Sequence, residues 1–503
     1  MTGALADFRW RARFAFADSG QRAPCEAQGR VRGIRPRQRC PCIVHPSRSR
    51  RTALLLTGPC ATDRRATDRR ATDRRYPTAV DLGAHCVASR PALRESVICA
   101  SMRTVPSLAP TMSWPFVVSL LSLSIWLGLL CLRGGFWRVR LPAAAAPPTD
   151  WPAVVAVVPA RNEAEVVAEA VTSLLTQAYS GEFRVILVDD HSDDGTAALA
   201  RAAAAACGRE DRLHIVSAQP LPPGWSGKVW AQQQGVEAVA ALLPDAEYVW
   251  LTDADIGHPP AALAGLVALA RAEGRDLVSE MVRLRTASPA ERLLIPAFVF
   301  FFAKLYPFQW VADARKRTAG AAGGCLLVRR AALDRIGQMR AIHDALIDDC
   351  ALAAALKRHG PIRLDLSRAA VSLRPYDGWR PIWDMIARTA YTQLHYSRWA
   401  LAGTVLAMTL TYLVPPVLTV TGALSGAIWT WPAALAWILM VCAYRPTLRY
   451  YGQAGLLAWL LPGVALFYLG ATLDSARRHW LGRGGQWKGR AQGTATQQAR
   501  PRR

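Results

Sequence analysis

Lysine is missing from the first 112 residues, and so is any sustained helical or strand periodicity. This stretch holds 21 arginines against 8 acidic residues, and this excess of positive charge is more than half of the formal net charge of +24. Such a charge ordinarily favours a nucleic-acid or anionic-membrane partner. Because the excess is concentrated in one atypical stretch, we expect no nucleic-acid partner.

A disulfide framework and the cysteine spacing of a zinc site are also missing. Six of the 11 cysteines lie in the first 112 residues and the others are scattered. Cys40 and Cys42 have no cysteine or histidine partners at the spacing that zinc requires. A reducing, cytosolic setting is therefore expected for the soluble part of the chain.

Residues 61–75 repeat the five letters ATDRR three times, a unit without a hydrophobic position to stack. We interpret residues 1–111 as an upstream extension and expect the natural protein to begin at Met102 or Met112. A disordered basic arm is the alternative.

Residues 114–132 form an uncharged apolar run close to the ~20 residues that cross a bilayer. Arg133, Arg138 and Arg140 follow at once, which places this end in the cytoplasm by the positive-inside rule. We predict an N-terminal transmembrane anchor over residues 112–133. A cleaved signal peptide is less favoured, because neither a basic leading region nor a small-residue cleavage site flanks the run.

Three more apolar runs cover residues 401–424, 427–443 and 453–473, followed by a basic tail over residues 474–503. Three full crossings would place this tail outside, against the charge rule. We therefore expect two to three C-terminal transmembrane helices, with one run re-entrant or interfacial.

Residues 293–311 are also strongly apolar, although they lie between two polar motifs that must share one soluble face. An amphipathic segment in the membrane interface, with Lys304 reaching toward water, is the favoured interpretation. A buried core helix is the alternative.

Residues 151–398 carry three apolar runs typical of buried parallel strands, at 154–158, 185–188 and 248–251. Each run ends in polar residues, with helical patterns between them. This order predicts an α/β, doubly wound, mostly parallel sheet with ligands at the carboxyl ends of its strands. The polar residues at these three ends are Arg161 and Glu163, Asp190, and Asp253 with Asp255.

Asp253 and Asp255 alternate along an extended backbone, so their carboxylates point the same way. Oxygen ligands of this kind suit Mg²⁺ or Mn²⁺, and such a metal neutralises the charge on a leaving diphosphate. A lone Asp-x-Asp triplet is also common in solvated loops, so its position after a buried strand carries the prediction.

Three other features have two interpretations each. Lys228 suits an ion pair with a phosphate, or is simply exposed. Gly323 and Gly324 permit close approach of backbone to a ligand, or form a turn. Asp348 and Asp349 precede a helical pattern over residues 351–357, where a carboxylate base or a helix N-cap is expected.

Together these motifs resemble the family 2 inverting glycosyltransferases of the GT-A fold, and most closely the hopene-associated glycosyltransferases of bacterial hopanoid gene clusters. The resemblance extends from about residue 114 to 490. It rests on Pro159-Ala160-Arg161-Asn162-Glu163, Val188-Asp189-Asp190, Gly227-Lys228, Thr252-Asp253-Ala254-Asp255, Gly323-Gly324-Cys325, Asp348-Asp349, Ser372-Leu373-Arg374-Pro375-Tyr376 and Trp487-Lys488-Gly489-Arg490.

The resemblance implies a nucleotide-sugar donor and direct displacement with inversion at the anomeric carbon. It implies that Glu163 and Asp190 contact the nucleoside and that Lys228 contacts the diphosphate region. Asp253 would lie near the ribose and phosphate, and Asp255 would be the main metal ligand. Asp349, beside Asp348, would be the base. Pro159, Arg161, Gly323 and Gly324 complete the expected substrate site.

One departure concerns the Gln-x-x-Arg-Trp motif of processive members, which is absent here. Arg388, Tyr391 and Gln393 stand in the corresponding stretch as candidate contacts to the diphosphate or acceptor. We therefore expect transfer of a single sugar to a lipid, a hopanoid above all, by a multi-pass protein of the bacterial inner membrane with a cytoplasmic catalytic domain. Another isoprenoid acceptor, such as polyprenyl phosphate or a carotenoid, and a non-catalytic membrane scaffold are the alternatives.

Overall fold

A computed structural model of the chain describes residues 113–483 together with the backbone of residues 486–487 and 490–491. The expected extension over residues 1–111, the alternative starts at Met102 and Met112, and most of the basic tail lie outside the described residues. Those expectations stay predictions.

Eight strands form one twisted sheet in the order β3-β2-β1-β4-β7-β6-β8-β5. Their bounds are β1 (Val154–Ala160), β2 (Phe183–Asp189), β3 (Leu213–Ser217), β4 (Tyr248–Leu251), β5 (Ile256–Gly257), β6 (Leu277–Arg283), β7 (Leu326–Arg329) and β8 (Ile362–Ser372). β1 pairs in parallel with both β2 and β4, and β2 with β3. The predicted α/β fold with a doubly wound, mostly parallel sheet is confirmed.

Fourteen helices accompany these strands in the described residues. They are α1 (Trp114–Leu132), α2 (Val167–Leu175), α3 (Thr196–Ala206), α4 (Gly227–Leu242), α5 (Ala262–Glu273), α6 (Pro289–Leu305), α7 (Phe308–Ala312), α8 (Arg330–Arg335), α9 (Asp348–Lys357), α10 (Trp379–Gln393), α11 (Arg398–Met408), α12 (Val414–Ser425), α13 (Thr430–Tyr450) and α14 (Leu461–Trp480). A π-helical segment, Thr409–Leu413, joins α11 to α12. Two short strands, β9 (Gln486–Trp487) and β10 (Arg490–Ala491), pair with each other.

Both faces of the sheet are covered, because every residue of β1 is apolar and buried. Val155 and Val157 contribute to one hydrophobic cluster, whereas Val154 and Val158 contribute to the other. Alternate residues of a strand point to opposite faces, so one apolar run serves two cores. The core thereby holds the carboxyl ends of the central strands in place.

Three helical stretches are long and apolar enough to cross a membrane among the described residues: α1, the continuous stretch Arg398–Ser425, and Gly455–Trp480. One N-terminal and two C-terminal candidates agree with the predicted number. The last stretch continues to Trp480, beyond the predicted end at residue 473, so the expected tail begins inside a helix. α1 is tied to the π-helical segment, since Trp126 Nε1 donates to the Thr411 carbonyl at 2.8 Å.

α6 covers most of the predicted interfacial segment 293–311 and packs against the C-terminal helices. The Phe300 ring lies 5.1 Å from Tyr444, and the Phe301 ring 4.9 Å from Tyr468. Lys304 Nζ donates to the Tyr412 hydroxyl at 2.8 Å instead of reaching toward water. α6 would pack on these helices under either interpretation, so the interfacial segment and the buried core helix both stay predictions.

Candidate active site

Lys228 joins two of the predicted acidic motifs. It lies in the first turn of α4, and its Nζ is 2.8 Å from Asp253 Oδ1 and 3.2 Å from Asp348 Oδ2. Its side chain is only 16% exposed, so the exposed-lysine interpretation is wrong. Although burial lowers the pKa of Lys228, the charges of Asp253 and Asp348 raise it well above its usual value, which keeps the ammonium charged.

Asp349 is held by two backbone amides. Its Oδ2 accepts the Gly323 N–H at 2.8 Å, and its Oδ1 accepts the Cys350 N–H at 2.7 Å. The residue that caps α9 is Ile347, so the N-cap interpretation of Asp348 and Asp349 is wrong. Burial and the charge of Asp348 raise the pKa of Asp349 to about 6, which suits a general base acting near neutral pH.

Gly323 lies where the lysine and the acids converge. A Cβ atom at this position would be 3.3 Å from Lys228 Nζ, 3.5 Å from Asp349 Oδ2 and 3.6 Å from Asp253 Oδ2. A side chain would therefore fill the space between these groups. The neighbouring Gly324 accepts a hydrogen bond from Thr252 Oγ1 at 2.8 Å through its carbonyl, which ties this loop to the end of β4.

Arg374 connects the first and third polar clusters of the sequence. Its Nε lies 2.8 Å from Asp255 Oδ2, and its Nη2 lies 2.6 Å from Glu163 Oε2. Sequence reasoning assigned no role to this arginine. The only sequence signal for Arg374 was its place in the motif stretch 372–376. Local pattern does not predict which distant residues such a side chain contacts.

The loops after β1 and β2 are tied together on the other side of Glu163. The Glu163 N–H donates to Thr196 Oγ1 at 2.9 Å, and the Asn162 N–H donates to Ser192 Oγ at 3.0 Å. A cavity of about 220 Å³ opens here, lined by Asn162, Glu163, Ala164, Glu165, Val166, Asp194 and Arg374.

Pro159, Arg161 and Asp190 lie at the carboxyl ends of β1 and β2. Pro159 is buried within β1, in register with Val188 of β2. Arg161 donates to the Asp190 carbonyl, and its Nη1 is 3.8 Å from the Asp190 carboxylate. The Asp190 side chain is 1% exposed, so the pair braces the two strand ends.

The three candidates on α10 lie in different surroundings. Tyr391 is buried against α14, where its N–H donates to Ser475 Oγ at 3.0 Å. Gln393 Nε2 donates to the Tyr306 hydroxyl at 2.7 Å, and Arg388 is exposed. The structure therefore does not bring Tyr391 to the cluster, contrary to the contact expected for it.

Asp253 and Asp255 are the residues predicted to hold a divalent metal ion. No group of three or more histidine, cysteine, aspartate and glutamate side chains is arranged around a metal position in the described part of the chain. Mg²⁺ commonly takes only one or two protein carboxylates, with phosphate and water completing its shell. Burial, with the charges of Asp255 and Asp348, raises the pKa of Asp253 to about 6 against the lowering effect of Lys228. A divalent cation would relieve this crowding, so the donor set fits one.

Comparison with known proteins gives one family match and several structural likenesses. Residues 152–364 match the family described as Glycosyltransferase like family 2, a range that contains every predicted acid of the site. No curated protein matches the chain.

The solved structures similar to this chain share little sequence with it. The mannosyltransferase PcManGT from Pyrobaculum calidifontis, in complex with GDP-Man and Mn²⁺, is 18% identical over 73% of this chain and 99% of that chain, with a TM-score of 0.44. Glucosyl-3-phosphoglycerate synthase from Mycobacterium tuberculosis, with Mn²⁺ and UDP, is 18% identical over 51% and 87%, with a TM-score of 0.34. Mannosyl-3-phosphoglycerate synthase from Rubrobacter xylanophilus is 19% identical over 49% and 74%, with a TM-score of 0.32.

Proposed function

We propose that this protein transfers one sugar from a nucleotide-sugar donor to a lipid hydroxyl with inversion, because residues 152–364 match the family described as Glycosyltransferase like family 2. The observation that carries the proposal is the position of Asp349. Its carboxylate is fixed by the Gly323 amide next to the Lys228–Asp253 ion pair. A base and a phosphate-binding cation thus lie side by side.

In the proposed reaction the acceptor hydroxyl attacks the anomeric carbon and gives its proton to Asp349. The bond between that carbon and the diphosphate oxygen breaks at the same time, so the configuration inverts. Lys228 offsets the growing negative charge of the leaving diphosphate. Asp253 and Asp255 would hold a divalent cation, which when bound supplies further charge neutralisation.

The nucleoside of the donor is proposed to lie against the loops that follow β1 and β2. Glu163 lines the cavity of about 220 Å³, and Asp190, buried at the end of β2, pairs with Arg161. Carboxylates at this place suit the hydroxyl and amino donors of a base and ribose. The carboxyl ends of the central strands are also where an open α/β sheet ordinarily binds its ligands.

A lipid acceptor is supported by the helices that surround the domain. α6 begins beside the loop that carries Arg374, since Glu291 Oε1 accepts the Tyr376 N–H at 2.8 Å, and it packs against α13 and α14 through Phe300 and Phe301. The stretch that contains α14 is one of the three candidate spans. A hopanoid is the lipid that the sequence resemblance implies, and the proposed location is the bacterial inner membrane with the domain facing the cytoplasm.

Membranes from cells expressing the chain provide the test. Each of a panel of radiolabelled nucleotide sugars is added with lipid extract, and label is counted in the organic phase with and without EDTA. We expect one donor to label one lipid with a single sugar in a metal-dependent way. Asp349→Asn should abolish labelling, whereas Asp245→Asn, an exposed aspartate at the opposite end of the sheet, should not. Polymer formation, or full labelling by Asp349→Asn, would contradict the proposal.

A further inference from the structure

Each aspartate of the Asp253–Asp255 pair already has a cationic partner from a distant part of the chain. Lys228 Nζ lies 2.8 Å from Asp253, and Arg374 Nε lies 2.8 Å from Asp255. A divalent cation and a guanidinium both use the lone pairs of the same carboxylate oxygens. Arg374 holds one oxygen of Asp255, and a divalent cation on the same carboxylate would bring two positive charges close together, so the two compete for Asp255.

The backbone on both sides of Arg374 is fixed. The Leu373 N–H donates to the Asp255 carbonyl at 2.8 Å, next to the antiparallel pairing of β5 with β8. The Tyr376 N–H donates to Glu291 Oε1 at 2.8 Å. Any change in the partners of Arg374 without loss of these bonds is therefore a movement of its long side chain.

The second ion pair of Arg374 keeps that side chain at the donor site. Nη2 lies 2.6 Å from Glu163, and both residues line the cavity of about 220 Å³. If Nε leaves Asp255, the guanidinium is still anchored to Glu163. Its freed N–H groups then face the space where the proposed function places the donor, and guanidinium groups bind phosphate oxygens in a bidentate way.

We propose that Arg374 is the resident counter-ion of the donor site. It neutralises Asp255 while no donor is bound, and it releases Asp255 and pairs with the diphosphate when a donor and a divalent cation bind. The inference rests on the proposed function, because it takes a nucleoside diphosphate and a divalent cation as ligands. It adds a donor-binding residue and explains why metal and nucleotide should bind together.

Binding of Mn²⁺ to the purified, detergent-solubilised full chain tests the competition without any turnover. Free Mn²⁺ is measured by electron paramagnetic resonance, first with Mn²⁺ alone and then with UDP or GDP present. For Arg374→Gln we expect Mn²⁺ alone to bind about tenfold more tightly than to the wild type, since no guanidinium has to be released. Nucleoside diphosphate in the presence of Mn²⁺ should bind about tenfold more weakly, since its arginine is gone.

Arg271→Gln is the matched control. Arg271 is 33% exposed, close to the 34% of Arg374, and it pairs with Glu247 at 2.7 Å at the opposite end of β4. This variant should bind both ligands like the wild type. Arg374→Lys keeps a cation but not the fork that reaches two carboxylates, so its Mn²⁺ affinity should lie between those of the wild type and Arg374→Gln.

Equal Mn²⁺ affinity in the wild type and in all Arg374 variants would overturn the inference, as would weaker Mn²⁺ binding by Arg374→Gln with an unchanged melting temperature. Failure of the proposed function has a different outcome. In that case the Mn²⁺ competition is observed as described, but membranes transfer no sugar to any lipid.

Discussion

The Oδ2 atom of Asp349 accepts the backbone N–H of Gly323 at 2.8 Å, and this bond joins the start of α9 to the loop before β7. The amide aims the carboxylate at the space beside Lys228. The hydrogen bond also occupies one lone pair of the carboxylate. The carboxylate is therefore oriented before any substrate binds.

Replacing Asp349 by asparagine should remove the proposed base and keep the shape of the side chain. We expect transfer to fall by at least about 100-fold, because an amide does not accept the proton of the attacking hydroxyl. Donor binding should stay within a few-fold of wild type, as measured by isothermal titration calorimetry with the nucleoside diphosphate. Substantial transfer by this variant would place the base elsewhere.

The pH dependence of transfer follows from the raised pKa values. Those of Asp349 and Asp253 both lie at about 6, so both carboxylates are partly protonated below that pH. A protonated base accepts no proton, and therefore kcat/KM should rise with pH through about 6 and then level off. This rise of kcat/KM at acidic pH, the acidic limb of the profile, reports the coupled cluster of carboxylates rather than one residue. A profile that is flat from pH 5 to 8 would show that neither group limits the reaction.

Lys228 lowers the pKa of both carboxylates through its positive charge. In Lys228→Met the acidic limb should therefore move to higher pH, and the KM for the donor should rise because a diphosphate contact is lost. Lys316→Met, at an exposed position, is the control and should leave both unchanged. A limb that moves to lower pH would contradict the charge assignment.

A methyl group on Gly323 should disturb the site without unfolding the protein. Its Cβ would lie 3.3 to 3.6 Å from the Lys228, Asp349 and Asp253 side chains. We expect Gly323→Ala to lower transfer about 10- to 100-fold, as is usual when reacting groups are displaced. Gly265→Ala, inside α5 with no heavy atom within 4 Å, should leave transfer unchanged and raise stability by up to about 1 kcal/mol.

Gly235 tests the packing beneath the site. α4 approaches β1 so closely that a Cβ on Gly235 would lie 2.4 Å from Val157 Cγ1. Gly235→Ala should therefore lower the free energy of unfolding by about 1 to 3 kcal/mol. Thermal unfolding in detergent, followed by circular dichroism, measures the loss. The double variant Gly235→Ala with Val157→Ala should lose less than the sum of the two single variants, because the contacting methyl groups are removed.

Local pattern was enough to predict β1, β2 and β4 and the acids that follow them. The apolar run before Asp253 coincides with β4 as observed, Tyr248–Leu251, because a strand buried on both faces needs apolar residues at every position. The same pattern located Glu163, Asp190 and Asp255 at strand ends. The family match over residues 152–364 agrees with the type of domain that these motifs indicated.

The pairing of side chains was decided only by the tertiary structure. Lys228 meets Asp253 and Asp348 because α4, β4 and α9 converge at one edge of the sheet, and Arg374 reaches Asp255 because β5 pairs with the end of β8. Tyr391, which a linear motif suggested for the site, is instead turned into the packing of α10 against α14. Strand order and helix packing between distant segments decide such contacts, since hydrophobic periodicity identifies the buried face of an element but not its neighbour.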